Sequence, residues 1–266
     1  MLLVGNGTVL TLGQDNKIIP HGGVLIEGAK IREVGLAADL QERFPQAEFI
    51  DARGKLIMPG MINTHMHLYS TFARGMDAKS KPPKCFRDIL EGLWWKLDKQ
   101  LTLEDVYYSA LVPLIDCVKT GTTTIVDHHA SPHAITGSLN TLAKAAQEVG
   151  VRAAFCYEVS DRDGEHNAQE GIKENADFAA ACKSRSDAMV AGLFGLHASL
   201  TLSDKTLALS REAAQGCGFH VHVAEGIEDL QDSLAKSGLR VVERLNKFGI
   251  LGPKTIAAHC VHVDDA

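Results

Sequence analysis

From Gly60 onward the chain alternates short β-prone apolar runs with helical stretches, and that alternation restricts it to a parallel sheet joined by crossover helices. The runs are Gly60 to His67, Thr122 to Asp127, Val151 to Cys156, Met189 to His197, Phe219 to Ala224 and Thr255 to His259. Between them the spacing predicts helices. One is opened by Thr102 with Asp105 as a capping box, is bent at Pro113 and runs towards Gly121; another spans Ser138 to Val149 and is closed by Gly150. Further helices are expected over 169–183, from Ser203 to about Gly216, and over 229–248 with a break at Gly238. Six strand-helix units, the last cut short, amount to a (β/α)8-type TIM barrel with six of its eight units, so residues 59–266 read as a barrel domain incomplete at the C-terminus.

Residues 1–58 have a different pattern and read as the N-terminal part of a small β-sandwich subdomain. Val24–Glu27 and Ile31–Gly35 flank the turn Gly28-Ala29-Lys30 as a hairpin; a short helix from Ala37 to Phe44 stops at Pro45, and Glu48–Asp51 forms another strand. A β unit this small needs something to pack on.

Composition narrows the function classes. A net charge of -6 over 266 residues, with Lys79, Lys81 and Lys84 reading only as decoration of a solvated loop, argues against a nucleic-acid or anionic-membrane surface. No stretch approaches a membrane span. The six cysteines are scattered without Cys-x-x-Cys and read as reduced thiols; with no basic or long apolar leader at Met1–Asn6, the expected location is cytoplasmic. Asn6-Gly7-Thr8, formally a glycosylation sequon, then reads as a turn. An open barrel edge would favour self-association, so a homo-oligomer is one expected state.

The chemistry concentrates at strand ends. In His65-Met66-His67 the two rings are two residues apart on a strand and point the same way, which is how a protein offers two neutral imidazoles to a divalent transition metal. Alone this motif is weak, and any single strand-end histidine is more readily explained as a backbone hydrogen-bond partner. The set is different. His65, His67, Asp127-His128-His129, His197, His222 with Glu225, and His259 all fall at strand C-termini, which in a parallel barrel converge on one mouth. His222 can point inward as a third nitrogen ligand, while Glu225, just past the strand end, can curl back over the metal as a proton shuttle. His220 shares the parity of His222 one layer deeper and reads as a core residue; His128 and His129 face opposite ways, so at most one lines the pocket. There is no His-Glu-x-x-His, Walker loop, Gly-x-Ser-x-Gly or Pro-Cys-x-x-Cys, and no lysine on the fourth strand to bridge two metals, so one ion is the simpler reading.

Asp51-Ala52-Arg53-Gly54 through Met58-Pro59-Gly60, His65-Met66-His67, His222-x-x-Glu225 and Ile256–Cys260 together resemble the amidohydrolase superfamily, in its mononuclear branch of deaminases and triazine chlorohydrolases. Leu93–Asp98, Asp127–Pro132 and Gly137–Leu139 are similar to the SsnA-type aminohydrolases, a group tied to selenium metabolism. The resemblance implies His65, His67 and His222 as ligands of one divalent ion, zinc in the first place and iron as the alternative. It implies Glu225 as general acid/base, His259 as the group orienting the attacking water, and His197 as a substrate contact. Ser70 and His128 complete the candidate substrate-binding set. Ser70 stands where purine and triazine relatives carry Gln or Glu, which argues against an ordinary purine. The family's last ligand, an aspartate ending the eighth strand, has no counterpart before Ala266, and Asp264 and Asp265 are expected to start a helix instead. The expected activity is hydrolytic deamination of a cyclic amidine or related small heterocycle. The alternatives are a cyclic-amide hydrolase, a chlorohydrolase, or an inactive truncated fragment.

Overall fold

A computed structural model describes residues 1–76 and 82–265; Lys79 and Lys81 lie outside the described residues, and Lys84 is exposed. The chain divides into two compact units, Met1–Met61 and Ile62–Ala266.

The first unit is a five-stranded sheet built on β1 (Leu2–Leu10). β1 runs antiparallel to β2 (Ile18–Glu27), which turns at Gly28 into β3 (Lys30–Leu36) as the predicted hairpin. On its other side β1 pairs in parallel with β4 (Glu48–Asp51) and β5 (Leu56–Ile57). Leu3 and Leu25 pack with Leu40 of α1 (Ala37–Arg43) to form the core of this unit. Asn6-Gly7-Thr8 is not a turn: it lies inside β1, where the register shifts on both sides of Gly7 and Asn6 takes φ 58°. A side chain at position 7 would run into the Lys55 carbonyl at 2.5 Å, so the bulge is built around the glycine.

The second unit carries the parallel strands β6 (Met61–Met66), β7 (Thr122–His129), β8 (Arg152–Tyr157), β9 (Val190–Gly192), β10 (Phe194–Ala198), β11 (Phe219–Val223) and β12 (Ile256–His259). They form two sheets, β6-β7-β8-β9 and β10-β11-β12, with parallel pairing throughout the registers β7/β8, β8/β9, β10/β11 and β11/β12. The fourth predicted strand is therefore broken at Leu193. Just past the break a side chain enters the ladder: Asn175 Oδ1 accepts from Tyr157 N at 2.8 Å and Gly195 N at 3.2 Å, and Nδ2 donates to Tyr157 O at 2.8 Å. Its amide occupies the ladder positions between β8 and β10 that backbone groups would otherwise fill. Gly195 passes so close to β8 that a Cβ there would sit 2.2 Å from the Tyr157 carbonyl.

The crossovers follow the sequence signals. After β6 come a 3-10 turn (Leu68–Ala73) and a broken helical run, α2 (Phe86–Ile89), a π-turn (Leu90–Trp94), α3 (Trp95–Leu97) and a second 3-10 turn (Asp98–Gln100). α4 (Leu103–Thr120) has the Thr102/Asp105 capping box, contains Pro113 and stops at Gly121 in the left-handed region at φ 84°. α5 (Ser138–Val149), α6 (Glu165–Lys183), α7 (Asp204–Ala213), α8 (Ile227–Ser237) and α9 (Val241–Lys247) complete the set, with Gly238 separating the last two. After β12 the chain turns at Val261 and His262, and Asp264 pairs with Arg240. Buried Leu, Ile, Val and Phe from β7 and β8 with α4 and α5, and from β10 and β11 with α7 and α9, make the core beneath the strand ends. Among the described residues no helix is long and apolar enough to cross a membrane.

Candidate metal centre and pocket

The strand parity read from the sequence brings three rings together. Nitrogen atoms of His65, His67 and His222 all lie within 4.8 Å of one another. His67 Nδ1 donates to the His128 carbonyl at 2.6 Å, and His222 Nδ1 donates to the His197 carbonyl at 2.8 Å. A carbonyl can only accept, so both Nδ1 atoms hold protons and both Nε2 atoms are left with lone pairs. Those lone pairs face each other across 3.1 Å, with the rings nearly parallel at 14°. Two bare lone pairs at that distance repel, and burial opposes placing a proton between them, since it lowers the pKa of both rings. A cation between them resolves the conflict, and backbone carbonyls fixing the tautomer of metal-binding histidines is the expected supporting arrangement. His65 is held differently. Its Nδ1 lies 2.9 Å from Nε2 of His220, whose own Nδ1 is 3.6 Å from Cys156 Sγ. His220 is thus the buried core histidine expected, with a positioning contact on His65 that the sequence did not reveal. Burial, then neighbouring rings, lower the His65 pKa to about 4, so it too is a neutral imidazole. The donor set therefore fits a divalent transition metal.

Glu225 reaches the same space through a local distortion. Ala224, between the strand end and the glutamate, takes φ 47°, and its N–H is held by Asp229 Oδ2 at 2.9 Å. A side chain in the left-handed region is uncommon and stores strain, which concentrates at functional sites. The turn sends Glu225 back towards His259, itself at φ 69°, and its Oε2 sits 3.3 Å from His259 Nε2. Burial first, and Asp229 second, push the Glu225 carboxyl up to about 7, where an acid/base group transfers protons in both directions at neutral pH.

These groups open onto a pocket of about 360 Å³ lined by His65, His67, His197, His222, Glu225 and His259 together with Tyr69, Phe86, Leu90, Trp94 and Trp95. That size falls within the usual small-molecule range. His197 hydrogen-bonds Thr201 Oγ1 through Nδ1 at 2.6 Å and faces the pocket beside Trp95. Ser70 lines the wall, but its hydroxyl donates to the His67 carbonyl at 2.6 Å. His128 does not line the pocket. It is fully buried behind His67 and His222, with Nδ1 3.5 Å from Cys156 Sγ, so the structure does not place it for a substrate contact. His129 is equally buried, on Ser131 Oγ.

Three residues that the sequence did not single out shape the centre. Asp229, on the first turn of α8, accepts from Leu200 N at 2.8 Å and from Ala224 N, tying two strand-end loops together. Arg244 is buried behind the loop after β10. Glu158, just past β8, adds a second carboxylate to the pocket.

Parallel strands with a histidine cluster at their C-terminal ends that could hold a metal are the arrangement found at the mouth of barrel-type enzymes. The chain belongs to the amidohydrolase family, whose profile, described as "Amidohydrolase family", matches residues 56–266. Residues 22–47 match an imidazolonepropionase-like composite domain of bacteria. The chain is 32% identical to a 5'-deoxyadenosine deaminase of Methanosarcina barkeri, over 99% of this chain and 58% of that protein. It is 30% identical to a 5-methylthioadenosine/S-adenosylhomocysteine deaminase of Caldanaerobacter subterraneus subsp. tengcongensis, with the same two shares. It therefore spans a little over half the length of these curated relatives. Among solved structures, atrazine chlorohydrolase TrzN of Arthrobacter aurescens complexed with zinc superposes with a TM-score of 0.83 at 22% identity, over 99% of this chain and 62% of that one. Guanine deaminase of E. coli superposes with a TM-score of 0.83 at 18% identity, over 99% and 63%. At these identities the likeness establishes a shared fold, the TIM-barrel-like fold expected from the strand-helix alternation.

Proposed function

We propose that this chain carries the greater part of a metal-dependent aminohydrolase that deaminates a small heterocycle. The observation that carries the reading is the pair of lone-pair nitrogens of His67 and His222, 3.1 Å apart, in a pocket that also holds Glu225 against His259. His65, His67 and His222 would hold the ion, and zinc is the metal that this nitrogen set and the zinc-bound relative favour. When bound, such an ion supplies Lewis-acid activation of water at neutral pH.

The remaining work falls to the chain's own residues. Glu225 takes one proton from the attacking water and gives it to a ring nitrogen, then takes the second from the hydroxyl left on the tetrahedral carbon and gives it to the amine, which departs as ammonia. His259, 3.3 Å away, orients that carboxylate and the water. His197, with Nδ1 committed to Thr201, has Nε2 available as an acceptor or donor for the ring. Trp94, Trp95 and Phe86 supply flat apolar walls that hold a planar ring and exclude bulk water. The deaminase names of the relatives, and the motifs shared with SsnA-type aminohydrolases, support a carbon-nitrogen bond as the one broken.

The zinc-loaded chain should release ammonia from at least one of 5'-deoxyadenosine, guanine, cytosine and melamine, and a chelator should abolish the release. The purines in the panel also test the argument drawn from Ser70. Chloride from atrazine without ammonia from any amine would replace deamination with dehalogenation, and ring-opened acid would replace it with cyclic-amide hydrolysis.

A further inference from the structure

Of the two carboxylates in the pocket, the proposed chemistry uses only Glu225. Glu158 is 7% exposed, and what little of it is accessible faces the pocket. It lies on the loop just past β8, where its backbone N–H donates to the His129 carbonyl at 2.7 Å. One of its carboxylate oxygens lies within 4.8 Å of ring nitrogens of both His128 and His222, and the carboxylate touches neither Arg162 nor His128 at hydrogen-bond distance. Arg162 Nη2 is 3.8 Å from Oε1, and His128 Nε2 is 3.7 Å from Oε2. Arg162 makes its close hydrogen bond to Asp98 through Nη2 and stacks over Trp95 at 5.3 Å, while its Nε and Nη1 have no hydrogen-bond partner. Glu158 is thus a buried acid, held in place by positive potential but with its acceptor capacity unspent. Leaving such a group unpaired is costly unless something else supplies the donors.

Resting on the aminohydrolase reading, we propose that Glu158 is the specificity residue of this pocket, accepting hydrogen bonds from N–H groups on the edge of the heterocycle away from the reacting amine. The substrate class follows from what surrounds it. The lining is aromatic and apolar apart from the histidines, Ser70 and the two glutamates, and among the described residues it includes no Lys or Arg. A phosphate or carboxylate on the substrate would therefore meet the like charge of Glu158 with no lining Lys or Arg to offset it. A flat ring that is neutral or cationic, and carries a second exocyclic amine or a ring N–H, would instead pair its donors with Glu158 while stacking on Trp94 and Trp95. A site built to hydrogen-bond such a group rejects the analogue that lacks it, because the buried acceptor is then left unpaired.

The test compares binding of 2,6-diaminopurine and adenine, which differ by one amine, to the full zinc-loaded chain and to Glu158→Gln and Glu158→Ala, by titration calorimetry. The wild type should prefer the diamino ring by about tenfold or more, the increment one good hydrogen bond to a charged acceptor gives. Both variants should reduce that preference to within about threefold of unity while keeping the wild-type metal content. Equal affinity for both rings in the wild type, or an unchanged preference in the variants, would overturn the assignment. Loss of metal from Glu158→Gln would also overturn it, by moving the carboxylate to the ion. The wild-type comparison stands even where a variant does not fold. Ring preference can be read in the Glu225→Gln background, where turnover is suppressed, so absence of ammonia release from the unsubstituted chain would count against the aminohydrolase reading alone.

Discussion

Glu225→Gln is expected to retain its metal and its fold while losing about a hundred- to ten-thousand-fold in kcat, the range positioned acid/base groups contribute. The substitution preserves shape and hydrogen-bonding capacity but removes the ability to take and return a proton. In the structure Glu225 stands beside the three imidazoles rather than among the group of atoms close enough to share an ion, so its loss should leave the metal content alone. Its partner His259 then faces an amide instead of a carboxylate. Parallel measurement of metal per chain and of ammonia release under saturating substrate checks both halves. A fully active variant would remove Glu225 from the chemistry, and an inactive, metal-free one would make it a ligand.

The second large effect is on stability. Arg244, 2% exposed, spends its guanidinium on the loop that follows β10: Nη1 donates to Ser199 O and Ser199 Oγ, and Nη2 to Leu202 O and Asp204 Oδ1, each at 2.8 Å. The same loop presents Leu200 N to Asp229, which in turn holds Ala224 and hence the turn into Glu225. Arg244→Met fills much of the same volume but leaves buried acceptors without donors. At about 1–3 kcal/mol for each one left unpaired, the variant should lose roughly 2–4 kcal/mol in urea unfolding. The exposed Asp204 end of the pair adds little to that figure, because water screens it. Arg244→Lys, which keeps the charge but not the planar fork, should recover only part of the loss. A variant within about half a kcal/mol of wild type would show that the loop is held by other contacts.

How far the site could be read from the sequence depended on whether a residue's position follows from strand parity. His65, His67 and His222 point together because they sit two apart on a strand or at matching strand ends, and the structure brings their nitrogens within 4.8 Å. Glu225 required one further step, a tight turn, and the structure supplies it at Ala224. His128 marks the limit. Two adjacent histidines at a strand end must face opposite ways, but parity does not say that the inward one will be covered by the rings in front of it. Glu158, Asp229 and Arg244 were not legible because their roles depend on loop-to-loop contacts between segments far apart in the chain, for which no periodicity exists. The Asn175 amide that α6 inserts between β8 and β10 was hidden for a related reason: nothing in the strand sequence announces it. The strand-helix alternation, by contrast, is a local pattern repeated many times, and the parallel architecture followed from it.

The account rests on one shared cation at the mouth of the strands. Metal analysis of the purified chain beside His222→Ala, each reconstituted with zinc and freed of excess, tests it most directly. About one tightly held ion per wild-type chain, and almost none in the variant, is the expected result for a site whose ligand count has fallen below what zinc needs. A wild-type chain that holds no ion, or a His222→Ala variant that holds as much as wild type, would contradict it.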